Sequence, residues 1–185
     1  MKKTTAILLL VGFFVLFYGC KKSSEESTPP TTLYQKLAGT WGMKTPQGAS
    51  PAASVVEVDD IALANQAPVT QWDLSLQLNF PSFTITFNVD ANNNPTTYAI
   101  GGTATQLIPV SGYWNLDYPY PSTVSTASKI YLYSDAAKTD LVNTLYIQEI
   151  PSGNVPMISF KLNHSNQGVP YASYVYSLYL QTSKK

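Results

Sequence analysis

From residue 72 onward, apolar side chains recur at every second position, and no long stretch keeps the 3.6-residue period of a helix. That alternation puts the apolar residues on one face of a half-buried strand, so the chain is constrained to antiparallel sheet. Residues 72–80 are the clearest run: Trp72, Leu74, Leu76, Leu78 and Phe80 oppose Asp73, Ser75, Gln77 and Asn79. Residues 83–89 follow, with Phe83, Ile85, Phe87 and Val89 on one face. Pro81-Ser82 between them predicts a wide turn or a bulge, because proline cannot take the positive φ of the tight hairpin turns. Further strands are predicted at 40–44, 54–58, 96–100, 103–108, 113–118, 129–133, 142–150, 155–163 and 172–181. In the last, Tyr174, Tyr176, Leu178 and Leu180 share a face. Clusters of Gly, Pro, Asn and Ser separate the runs, which is the pattern of an all-β barrel or sandwich of about eight to ten strands. Residues 45–70 are the least regular stretch, of the kind that supplies lids and binding loops.

The start of the chain reads differently. Lys2 and Lys3 precede an uncharged apolar run over residues 6–18, and Gly19-Cys20 closes it. This is the layout of a signal peptide over residues 1–19. The apolar run is shorter than the roughly 20 residues that span a bilayer. Cys20 is the only cysteine, so it has no disulfide partner, and its place after a small residue makes it the expected site of lipid attachment. Acylation would hold the protein on a membrane. Residues 21–32 (KKSSEESTPPTT) contain nothing to bury and are expected to be a disordered tether. Residues 33–185 are long enough for one folded domain. Residues 33–38 carry the periodicity of a short helix, which Gly39 ends. The expected location is the outer membrane, at the cell surface or on the periplasmic face.

Composition narrows the function classes. Charged residues are 12% of the chain, about half the usual share. No arginine occurs, and the folded part's lysines are scattered, so a nucleic-acid partner is not expected. His164 is the only histidine, and the segment around it (NHSNQG) reads as a loop. A Ser–His–Asp triad would have to use it, and no serine lies in a nucleophile-elbow context. One histidine and one acylated cysteine do not make a metal site. Asp90, Asn92 and Asn94 have the spacing of a calcium loop, but Pro95 stands where that loop needs glycine, so a turn is expected. Asp59 and Asp60 are adjacent and would point to opposite faces of a strand. No phosphate loop is present. The expectation is a protein that is not an enzyme and needs neither cofactor nor metal.

Leu37-Ala38-Gly39-Thr40-Trp41 reads L-x-G-x-W after a short helix and at the start of the first strand. This resembles the opening of lipocalin and other calycin barrels, and most closely the lipocalin-like domains of Bacteroidota lipoproteins. The run Gly112 to Asp117 (GYWNLD) is similar to their mid-domain strand. The resemblance implies an up-and-down antiparallel barrel with a short N-terminal helix, Gly39 and Trp41 in structural roles, and a pocket at one end for a small apolar or amphipathic ligand. In lipocalins an arginine packs over the G-x-W tryptophan; here either Lys161 or a tyrosine replaces that contact, or the domain is a looser relative. Residues 45–70 would overhang the mouth, with Tyr118 to Ser125 beside them, and Trp72, Trp114, Tyr118 and Tyr120 are the candidate ligand contacts. A β-sandwich is the alternative fold. It pairs with a second reading, in which Tyr131, Tyr133, Tyr171 and Tyr179 stack on a glycan, and a third, in which the domain docks onto a protein.

Overall fold

The computed structural model describes residues 31–103, 107–118 and 127–182. Helix α1 (Leu33–Leu37) comes first, with Thr32 and Gln35 forming a reciprocal capping box at its start. Strand β1 (Gly39–Gly42) follows at once. Gly39 has φ of 138°, a conformation that L-residues with a Cβ rarely adopt, which is why glycine stands there in the G-x-W motif. Next come β2 (Ser54–Asp59), α2 (Asp60–Ala64) and β3 (Gln71–Asp73). The remaining strands are β4 (Thr84–Val89), β5 (Pro95–Gly101), β6 (Ser111–Leu116), β7 (Lys129–Tyr133), β8 (Leu141–Glu149), β9 (Met157–Asn166) and β10 (Val169–Thr182).

Strands β4 to β10 pair in chain order, every pair antiparallel, and β1 pairs with both β4 and β10. These eight strands close an up-and-down, lipocalin-like barrel, so the sandwich alternative is set aside. Long β10 makes the remaining arrangement possible. Its C-terminal part pairs with β1, and its N-terminal part, Ala172 to Ser177, pairs with β2. Thus β2 continues the line of β1 along the same edge, and β3 flanks β2. Helix α1, the turn over residues 90–94 and the β8–β9 connection lie at one end, the α1 end. The α2 end of β2, the β9–β10 turn and the β7–β8 connection lie at the other, the far end.

The inward face carries Ile85, Phe87, Trp114, Ile130, Leu132, Leu145, Ile158, Phe160, Tyr176 and Leu178, all fully buried. At the α1 end Trp114 packs between Tyr34 and Phe87, with ring centroids 5.6 and 5.0 Å away. Its indole N–H donates to the Asn88 carbonyl at 2.8 Å. Gly112 faces Tyr98 across β5–β6; a Cβ there would lie 2.3 Å from the Tyr133 carbonyl and 2.8 Å from the Tyr98 ring. The missing side chain is what lets the Tyr98 ring lie inside the barrel.

Residues 72–80 depart from the expected strand. Only Gln71–Asp73 pairs; after it the Asp73 carboxylate accepts from the Ser75 N–H at 2.8 Å and turns the chain. Leu78 and Asn79 then take positive φ, and Phe80–Ser82 forms a 3-10 turn with Pro81 at its start. Leu74 and Phe80 are buried, while Leu76 is 90% exposed. The apolar alternation is real, but the local Asx and left-handed turn chemistry of Asp73 and Asn79 overrides it. The run 103–108 forms no strand among its described residues. The 90–94 segment is the turn expected: the Asp90 carboxylate accepts from the Asn92 and Asn94 N–H groups, both at 2.8 Å.

Candidate functional site

The candidate ligand contacts named from the sequence do not converge once the chain is folded. Trp114 is fully buried in the core. Tyr118 is half-exposed at the α1 end, where its carbonyl accepts from the Tyr34 hydroxyl, so it does not flank the far end as expected. Tyr120 and Cys20 lie outside the described residues. Trp72, 48% exposed on β3, does belong to the far end. Trp41 is fully buried, its indole N–H bonded to the Leu37 carbonyl at 2.8 Å. Lys161 does not take up the lipocalin arginine's place; its ammonium is 3.2 Å from Asp60. Of the tyrosines weighed for glycan stacking, Tyr179 is buried with its hydroxyl on the Pro51 carbonyl, and Tyr171 lies at the far end. Tyr131 and Tyr133 meet at an interplanar angle of 63°, which does not make a flat platform.

What the far end assembles comes from β2, β3, β9 and β10. The buried pair Val55 and Tyr176 points inward, so two residues on, the pair Glu57 and Tyr174 points inward as well. Trp72 pairs with Glu57 from the other side and shares its face. On β9 the inward series Ile158, Phe160, Leu162 continues to His164. His164 is therefore a strand residue and not the loop residue expected. The turn is confined to Gln167-Gly168, both at positive φ, as a two-residue hairpin requires. A bulge between Pro170 and Ala172 sets Tyr171 beside His164, at 6.1 Å between ring centroids, with Tyr174 at 5.2 Å.

Among the described residues, three buried polar side-chain atoms have no hydrogen-bond partner: the Tyr98 hydroxyl, the Tyr176 hydroxyl and His164 Nε2. All three sit on inward faces of the barrel. Tyr176 lies among Phe160, Phe83 and Phe80, with centroids 5.1, 5.1 and 6.1 Å away. Burial holds its hydroxyl far above the ordinary tyrosine range. Burial alone pushes Tyr98 up to about 12. Burial, and next the neighbouring Glu57 carboxylate, push Tyr174 up to about 12. The sign follows: a phenol kept neutral by the fold stabilises it fully below pH ~10, and that contribution is lost as pH rises from ~10 towards 12. An ultraviolet tyrosinate titration should therefore show a late phase in which Tyr98, Tyr174 and Tyr176 ionise together with unfolding.

Among the described residues no group of three or more His, Cys, Asp and Glu could hold a metal ion, and no helix is long and apolar enough to cross a membrane. Exposed apolar side chains gather at the far end: Ile61, Leu63, Val69, Trp72, Val169 and Tyr171. Glu57 and His164 give no sequence signal, because each acquires its neighbours only through strand pairing.

No curated protein and no solved structure matches the chain. A family model does, over residues 20–179, and that span covers most of the sequence. With its lipocalin-like barrel, the chain belongs to the family described as Domain of unknown function (DUF5004).

Proposed function

We propose that this is a membrane-anchored envelope lipoprotein whose barrel binds a small amphipathic ligand entering from the far end. The observation that carries the ligand reading is the set of unpartnered polar atoms inside an otherwise apolar barrel. Each such atom costs about 1–3 kcal/mol when it stays unpaired, and native interiors leave few of them. A ligand with an apolar body and polar groups would pair them. The apolar rim formed by α2, β3 and the β9–β10 turn suits the entry of such a molecule. Anchoring rests on the signal-peptide pattern and on Cys20, the residue at which the family match opens.

Tyr176→Phe tests the ligand reading. Without ligand the variant should be more stable than the wild type by about 1 kcal/mol, because an unpaired hydroxyl is removed at constant shape. With an envelope lipid extract added, the wild type should gain melting temperature and the variant should gain less. An unchanged wild-type melting temperature across extract and medium-chain amphiphiles would sink the reading. Anchoring is tested by mass spectrometry of the cell-purified protein: Cys20 should be the acylated first residue, and an unmodified Cys20 would refute it.

A docking role has one observation in its favour. On the outer face, Tyr113 of β6 pairs directly with Tyr133 of β7, whose ring centroid is 6.3 Å from that of Tyr131. Such a tyrosine ladder suits a protein partner.

A further inference from the structure

We propose that the far end carries a recognition slot for a small organic cation, an amine or quaternary ammonium head group, with Glu57 as its floor and Trp72 and Tyr174 as its walls. The inference rests on the ligand-binding reading and names the head group of that ligand.

The slot follows from register. Tyr174, Glu57 and Trp72 occupy successive strands β10, β2 and β3 at directly paired positions, so their side chains leave the sheet on one face in one row. Neighbouring strands are about 4.8 Å apart, which separates the two aromatic residues by about 10 Å with the carboxylate between them. A methylated ammonium or a protonated amine is of a size to sit between two aromatic residues so spaced. The ring quadrupole attracts a cation there, and tryptophan is the strongest of the aromatic side chains in this role.

Charge points the same way. The ion pair found among the described residues joins Lys161 to Asp60, and among those residues Glu57 has no cationic partner. Its carboxylate is half-buried next to an aromatic ring, a setting in which an anion gains more from a cation than it would in open water. Tyr174, directly paired with Glu57 across β2 and β10, stands beside the carboxylate and leaves its lone pairs for a ligand. Beyond the row, His164 brings its unpartnered Nε2 to the same end, and Tyr176 and Tyr98 bring hydroxyls further in. The arrangement therefore runs from a cation-selective rim to an apolar interior with isolated hydrogen-bonding atoms. An aliphatic or aromatic amine with one or two polar groups along its body matches that order.

The test uses the full chain and probes that share a dodecyl tail: dodecyltrimethylammonium, dodecyl sulfate and dodecyl maltoside, each below its micelle concentration, read by calorimetry. The cationic probe should bind at least tenfold more tightly than the other two. Glu57→Gln should erase at least tenfold of that preference and leave the maltoside affinity unchanged, while the sulfate affinity, freed of a like charge, should rise. Trp72→Leu should weaken the cationic probe severalfold. Both side chains are partly exposed, and circular dichroism with melting curves checks that the variants fold. Three probes bound with equal affinity, tightest binding of the maltoside probe, or a cationic preference that survives Glu57→Gln would overturn the slot while leaving the barrel reading intact. Binding of none of the three would overturn the barrel reading and the slot with it.

Discussion

Replacing Trp114 with alanine should lower the stability of the barrel by about 3–5 kcal/mol, a large share of what a domain of this size possesses. The indole is fully buried, its ring lies against Tyr34 of α1 and Phe87 of β4, and its N–H bonds the Asn88 carbonyl. Removing it opens a cavity between three elements that lie far apart in sequence, and leaves a backbone carbonyl without its donor. Such a domain has about 5–15 kcal/mol of stability in all, so the variant should melt roughly 6–20 °C lower. Trp114→Phe should fall between, since it keeps most of the ring contact and loses the hydrogen bond. Trp72→Ala is the control: that ring is half-exposed and should change stability by less than about 0.5 kcal/mol. A Trp114→Ala protein that melts with the wild type would mean that the α1 end is not closed by this cluster. The contrast separates two tryptophans that the sequence alone makes equal candidates for ligand contact.

What can be read from sequence is whatever local alternation decides. Strand β7 matches its prediction to the residue, because Ile130 and Leu132 alternate with Lys129, Tyr131 and Tyr133 and no turn former intrudes. The inward face of β10 is legible through Tyr174, Tyr176 and Leu178. The L-x-G-x-W segment announces both the helix end and the barrel start, since a positive-φ glycine followed by a buried tryptophan is a demand of the backbone itself. Two kinds of feature are hidden. One is local competition: the apolar period over residues 72–80 is stronger than in any other run, yet Asp73 and Asn79 turn the chain out of the sheet. The other is pairing at a distance. Nothing near Glu57 announces that Trp72 and Tyr174 will flank it, and nothing near His164 announces Tyr171 and Tyr174. The far end is built almost wholly from relations of this second kind, which is why the fold is easier to read than the site.

Helix α2 shows how the fold holds that end in shape, and it supplies the second large effect. Asp59 caps the helix, its carboxylate accepting from the Ala62 N–H at 3.0 Å. Asp60, buried against the outside of the barrel, accepts from the Ser173 hydroxyl at 3.1 Å and the Lys161 ammonium at 3.2 Å. The two adjacent acids thus divide the work, one ending β2 and starting the helix, the other fastening it to β9 and β10. Asp60→Ala should cost about 2–3 kcal/mol, because it leaves a fully buried hydroxyl without its acceptor and a partly buried ammonium without its counter-ion. The Lys161 side chain is 27% exposed and can reach water, which keeps the loss below that of a fully buried pair. Asp60→Ala combined with Lys161→Met should recover part of the loss, since the stranded charge is then gone, and the difference from additivity measures the coupling. Hydrogen exchange distinguishes a local from a global effect. The Asn65 amide, bonded to the Ile61 carbonyl at 3.0 Å at the end of α2, should lose protection well beyond the loss at β6 and β7 amides. Uniform loss across the barrel would instead make Asp60 part of the global core and would remove the argument that α2 is a separately fastened wall of the far end.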